Sequence, residues 1–329
     1  MSAPPTLSAQ RRESLLSCRE EFTCYSAAIA TWLAVDQEDW ARSVNPGLWL
    51  TITEPGDGVF GFAYFPPQLR AELGLQRTGA DQVGAAIEGV RQEIARSGRV
   101  IVAGDGFHLP WHVAAGRLHL PHWYVLLAGA EGLEVMDPFA CRNALGVQEA
   151  TRLPVAPEAL GGLLHALPGD DPIHVLRERL AFGDETEPCA LPHQWFVRGV
   201  AADWRRPEGA NGPDALRRLA EHFRTHGQDP RAYAQADDIW SIARHRAFLH
   251  RWANVRALQD GDDALADWVA SQATPLIKRW GHIAPLLMQA ALALGAGRQA
   301  SASVPDTLEH LATLEQSASD ALKQNSFSI

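Results

Sequence analysis

Apolar residues in the first third of this 329-residue chain recur with two periods. From Cys24 onward, Tyr25, Ala28, Ile29, Trp32 and Leu33 keep the i, i+3, i+4, i+7, i+8 spacing of one helix face, and Thr23 is placed to cap that helix. A second stripe, Val83, Ile87, Val90 and Ile94, belongs to a helix predicted over Ala80 to Ser97 and ended by Gly98; a shorter helix is predicted over Gln68 to Leu73. The period then changes. Arg99-Val-Ile-Val-Ala-Gly-Asp105 reads as a buried strand. Trp123 to Ala128 and Leu133 to Met136, flanking Gly-Ala-Glu-Gly, read as a hairpin. Helices return at Pro157 to Ala166 and Pro172 to Phe182. Beyond the acidic, proline-ended stretch Gly183 to Pro188, helical spacing dominates, in the stripe Leu216, Leu219, Phe223 and the longer one from Ile239 to Leu258. Thr274-Pro275 should kink or restart the next helix, and Ile283 to Leu294 should stop at Gly295. The fold class predicted is α+β over residues 15 to about 185, followed by a mainly helical domain over 190 to 315. Residues 1 to 14 and 316 to 329 read as a flexible and a frayed tail.

The hairpin has a chemical consequence. With its turn centred near Ala130 and Glu131, Asp137 falls opposite Tyr124, two residues from His122. Side chains alternate along strands, so His122 and Asp137 project from one face, about 5–8 Å apart at Cβ. A carboxylate at that distance can hold an imidazole. The pair lacks a nucleophile, and Cys24 supplies one in the first turn of a helix, where the dipole and unpaired N–H groups favour a thiolate. The same N–H groups could receive an oxyanion. Thiol, base and orienting acid together are what acyl transfer by a cysteine requires. His119 competes with His122 for the role of base, but strand parity with Asp137 favours His122. Zinc on His119, His122 and Asp137 is the weaker alternative, because Pro121 spoils the ligand spacing and Cys24 would be left unexplained. No metal or other cofactor is expected.

Composition narrows the choice of partners. With 46% hydrophobic and 21% charged residues, the chain belongs with soluble globular proteins. A net charge of −10 sets it against a nucleic-acid backbone, and its short arginine pairs do not reverse that. The longest apolar run, Ala284 to Ala296, is too short to cross a bilayer, and the N-terminus has no apolar signal core, so a cytoplasmic location is expected. Cys18, Cys24, Cys141 and Cys189 lack metal-finger spacing and read as free thiols.

The order Cys, His, Asp, with His leading one strand and Asp ending the next, resembles the papain-like cysteine fold. Thr-Cys24-Tyr-Ser, Gly104-Asp105-Gly-Phe-His-Leu-Pro110-Trp and His119-x-x-His122 ahead of the hairpin are similar to the N-terminal domain family of butirosin biosynthesis protein H. Asp237-Asp-Ile-Trp240-Ser-Ile-Ala-Arg-His-Arg-Ala-Phe-Leu looks like the helical module that often follows that domain. The resemblance implies an acyltransferase of natural-product biosynthesis, passing an acyl group from an acyl carrier protein thioester to a small-molecule amine. On this chain Cys24 would take the acyl group, His122 would serve as base and then acid, and Asp137 would orient it. Asp105 matches a family position; with His119 and Tyr25 it is assigned to substrate binding. Arginines such as Arg205, Arg206 or Arg217 would meet an acidic carrier protein. One departure stands out. Papain-like proteases carry a Gln about six residues before the cysteine, whereas position 18 here is Cys, which leaves the oxyanion donor unassigned. A ring-forming release enzyme (lactam or Dieckmann type) and a cysteine hydrolase or peptidase are the alternatives.

Overall fold

A computed structural model of the chain describes residues 6–45, 47–53, 60–64, 72–129, 132–143, 145–167, 171–182, 190–201 and 208–324. Most of the helix expected at Gln68 to Leu73, the boundary at Gly183 to Pro188, Cys189, Arg205 and Arg206 lie outside the described residues. Two units emerge, Met1–Val44 with Pro66–Trp204, and Asn45–Phe65 with Arg205–Ile329. The division differs from a boundary near 185, because residues 45–65 associate with the C-terminal unit.

In the first unit six strands form one sheet: β1 (Leu75–Ala80), β2 (Arg99–Asp105), β3 (Pro121–Gly129), β4 (Gly132–Asp137), β5 (Thr151–Val155) and β6 (His193–Arg198). Their spatial order is β1-β6-β2-β3-β4-β5, and every neighbouring pair is antiparallel. The unit is thus α+β with an antiparallel sheet, as the succession of helices and hairpin predicts. Strand β2 is buried along its whole length, because helices cover both faces of the sheet.

Three helices build the surroundings of this sheet. Helix α1 (Ala9–Ser17) begins within the stretch expected to be a flexible tail. It is tied down by Arg11, whose guanidinium donates to the carbonyls of Ala34 (3.1 Å) and Val35 (2.9 Å) at the end of α2 (Cys24–Ala34). Helix α2 is buried at every position from Tyr25 to Ala34, so the stripe seen in sequence is one side of a helix that is apolar all round. It packs on β2, β3 and β4. Burial of Ile29, Trp32 and Leu33 contributes about 1.5–3 kcal/mol each. Helix α3 (Val83–Ser97) covers the opposite face with Ala86, Val90 and Ile94 against Val100, Val102, Tyr124 and Leu126. It closes at Gly98, whose φ of +76° puts it in the left-handed conformation, and its N–H bonds Ile94 O at 2.7 Å. A fourth helix, α4 (Pro172–Phe182), packs near β3.

The second unit holds four long helices, α5 (Pro213–His226), α6 (Ala236–Asp260), α7 (Thr274–Gly295) and α8 (Ser303–Gln324), and a small sheet of Thr51–Thr53, Gly61–Ala63 and Ala210–Asn211. A π-turn over Val269–Ala273 leads directly into α7, and Pro275 stands in the first turn of that helix. Arg246 explains why residues 45–65 belong here. Its side chain donates to the carbonyls of Gly47 (3.2 Å) and Leu48 (3.0 Å), and to Glu315 at 2.6 Å. Fraying does not set in at Gln316, since α8 continues to Gln324 with Ala318 fully buried and its carbonyl accepting from Trp268 Nε1 at 3.1 Å.

Candidate active site

Helix α2 starts where it does because two hydroxyls close its end. Thr23 Oγ1 accepts from Ser26 N (3.2 Å) while Ser26 Oγ accepts from Thr23 N (2.8 Å), a reciprocal cap with Ser in place of the usual Glu or Gln. Cys24 is therefore the first helical residue, and its N–H has no carbonyl four residues back to bond.

The sheet brings the other two groups to it. Strands β3 and β4 pair Val125 with Met136, Leu126 with Val135 and Gly129 with Gly132, and the continuation of that register sets Tyr124 opposite Asp137. His122 and Asp137 therefore share a face. The His122 Nε2 lies 2.6 Å from Asp137 Oδ2, and Cys24 hydrogen-bonds the same ring, which leaves Nδ1 as the nitrogen turned to the sulfur. Cys24, His122 and Asp137 form one contiguous chain of hydrogen bonds.

Burial is graded along that chain. Asp137 and His122 are 0% and 1% exposed, and Cys24 is less completely buried than either. Burial opposes the thiolate on Cys24, but the hydrogen bond and charge of His122, the charge of Arg177 on α4 and the N–H of Trp123 outweigh it and hold the thiol below its ordinary value. Burial likewise opposes the imidazolium. The Asp137 carboxylate, followed by Cys24, overcomes that and raises His122 from 6.5 to about 10. Each shift favours the charged form of its group, thiolate on Cys24 and imidazolium on His122.

Asp137 is held by more than the histidine. Its Oδ2 also accepts from Trp111 Nε1 (2.9 Å) and Gln148 Nε2 (3.3 Å), and its Oδ1 from Phe139 N (3.2 Å). Four donors converge on one carboxylate, so its orientation is fixed and its charge is satisfied within the site. His112 packs edge-on against His122, ring centroids 4.5 Å apart. Burial, with the charges of His122 and Arg177, pushes His112 down to about 2, so it stays neutral, and its Nδ1 accepts from Ala114 N at 3.1 Å. Gly106 makes that fit possible, because a Cβ there would lie 2.5 Å from His112 Nδ1.

The three residues assigned to substrate binding fall in two places. Tyr25 is 2% exposed, its ring packed against Trp123 (5.7 Å) and Phe196 (6.1 Å), and it serves the core behind the thiol. Asp105 and His119 pair with each other at the other end of the same loop, 2.5 Å from Oδ2 to Nδ1. Trp111, Gln148 and Arg177 are the site residues that sequence reasoning did not single out. Trp111 and His112 were visible as part of an aromatic and histidine-rich loop; Gln148, on the short ribbon Cys141–Asn143 with Gly146–Gln148, carried no signal. A groove of about 940 Å³ lined by Leu7, Arg12, Leu127, Glu134 and Arg152 lies at the turn end of the hairpin and contains none of the triad.

No protein-family model matches the chain, and comparison with curated proteins gives no match. No helix among the described residues is long and apolar enough to cross a membrane.

Proposed function

We propose that this protein is a cysteine-dependent acyltransferase that takes an acyl group from a carrier-protein thioester onto Cys24 and passes it to an amine. One observation carries the reading: a cysteine at the head of a helix, hydrogen-bonded to a buried imidazole that is itself bonded to a buried, fully satisfied carboxylate. Purely structural buried cysteines are inert hydrophobes and need no such partners. The proposal includes a papain-like arrangement of the first unit, supported by a cysteine at the head of a central helix and by His and Asp on adjoining antiparallel strands. Its similarity to the butirosin biosynthesis protein H family, through Cys24, the Gly104 to Trp111 segment and His119-x-x-His122, favours transfer over proteolysis.

The chemistry closes without a cofactor. The Cys24 thiolate attacks the thioester carbonyl, the tetrahedral oxyanion is received by the Cys24 N–H at the start of α2, and the carrier thiolate leaves with the proton from His122. The amine then attacks the acyl-cysteine. His122 takes its proton, Cys24 leaves as thiolate, and the amide is released. Thioester to amide is downhill, so no nucleotide is needed. A location in the cytoplasm and a carrier protein as donor belong to the same reading. Among the arginines expected to meet the carrier, Arg217 is half-exposed and paired with Asp214 at 2.6 Å.

The test is intact-mass analysis of the protein after exposure to acyl-pantetheine thioesters. The expected result is one acyl adduct on the native chain, none on Cys24→Ala, and discharge to amide on adding an amine. Discharge at the same rate to free acid with and without amine would make it a hydrolase; no adduct at all would end the proposal.

A further inference from the structure

We propose that Asp105, His108 and His119 form a binding site for a divalent transition-metal ion, zinc by preference, that clasps the loop between β2 and β3. The ligand atoms of these three residues lie within 4.8 Å of one another. Asp105 Oδ2 is 2.5 Å from His119 Nδ1 and 3.9 Å from His108 Nε2. An ion with bonds of about 2.0–2.2 Å in tetrahedral geometry needs its donors roughly 3.3 Å apart. The first gap must therefore widen and the second narrow, each by less than about 1 Å, and the gap between the two histidines, within 4.8 Å, must close by about 1.5 Å at most. The two rings can make that adjustment, being 49% and 35% exposed for His119 and His108.

Three further features mark a built site. The carboxylate is 1% exposed and its Oδ1 is fixed by the N–H groups of Phe107 (3.0 Å) and Leu120 (3.2 Å), which leaves Oδ2 for the histidines. Each imidazole is aligned by a stacked ring, Phe107 on His119 at 4.4 Å and His165 on His108 at 3.7 Å. His174 on α4, 4% exposed, has a buried Nε2 with no hydrogen-bond partner among the described residues, and the charges of Asp105 and His119 reach it. An open coordination position or its water beside Asp105 would give this atom a partner. Two imidazoles and one carboxylate suit zinc, nickel or cobalt and discriminate against magnesium and calcium.

The site is independent of the thiol, and it is tested without it. Full-length Cys24→Ala protein is stripped with a chelator and titrated with zinc chloride against a chromogenic zinc indicator. The expected result is one equivalent bound, weakened at least about 10-fold in Cys24→Ala chains carrying His119→Ala or His108→Ala, both exposed positions that leave the fold intact. Zinc should raise the melting temperature of the first chain and not of the second, and magnesium should do neither. X-ray absorption at the zinc edge should show nitrogen and oxygen neighbours only. Equal binding by the histidine variants, a sulfur neighbour, or no binding at all would overturn the proposal and leave the acyl-transfer reading untouched.

Discussion

Each unit of this protein buries a charged cluster, and the two are built to opposite ends. In the helical unit Arg246 and Glu315, each 1% exposed, face each other at 2.6 Å, with Trp280 Nε1 on Glu315 at 3.0 Å and backbone carbonyls taking the remaining guanidinium protons. Both ions are closed off from solvent, and their hydrogen bonds run to each other, to Trp280 and to backbone carbonyls. In the α+β unit the carboxylate and imidazole are as deeply buried, but the chain of hydrogen bonds ends on the Cys24 thiol, in a residue less completely buried than either. A network closed on an ion pair specifies structure, whereas one that ends on a nucleophile can do chemistry.

The largest separation between the two should come from their carboxylates. Replacing Asp137 by Asn leaves one oxygen where four donors converge and turns an amide N–H toward His122 or Trp111, so acyl capture should fall by about 10⁴ with a smaller loss of stability. Single-turnover acylation followed by mass spectrometry reads this directly, and a loss below tenfold would reduce Asp137 to a structural acid. Glu315→Ala should show the reverse, a loss of about 3–5 kcal/mol in denaturant unfolding as Arg246 is stranded, with the acylation rate of folded protein unchanged.

Acid and alkali should also tell the networks apart. The raised value of His122 means that the stability contributed by its charged form is complete below pH 6.5 and disappears as pH climbs through about 10. The lowered value of Cys24 works in the other direction: its contribution is complete above the ordinary thiol range and is lost as pH falls through the depressed value. Alkylation of Cys24 by iodoacetamide should therefore remain fast well below the pH at which a free thiol slows, and His122→Ala should move the midpoint upward. An unmoved midpoint would mean that the imidazole does not hold the thiolate. Two smaller effects complete the series. Thr23→Ala removes the cap of α2 and should cost about 0.5–2 kcal/mol of stability. Trp111→Phe deletes one donor to Asp137 and should slow acylation by about tenfold or less, since three other donors still hold the carboxylate.

The two networks also differ in how far they could be read from residues. His122 and Asp137 were legible because a tight hairpin makes partners local, and Cys24 because a cap and a helical stripe coincide on it. Arg246 and Glu315 were not, for they come from helices far apart in the chain and carry no spacing. Long-range pairing hid other elements in the same way. Strand β6 inserts between β1 and β2, and β1, Leu-Gln-Arg-Thr-Gly-Ala, is an edge strand too polar to announce itself. Strand β5 contains Pro154, which an edge position tolerates and which masks it in sequence. Residues 45–65 sort with the helical unit through contacts to Arg246 and Ala210–Asn211 that no local pattern foretells.

The pairing of Gly129 with Gly132 sits at the far end of the hairpin from any reacting atom, yet it works as the ruler for them. Slip either strand by one residue and every side chain beyond the bend changes sides, sending the acid through the sheet and away from its imidazole. Lengthening or shortening that bend by one residue would thus part Asp137 from His122 from a distance, without altering either side chain.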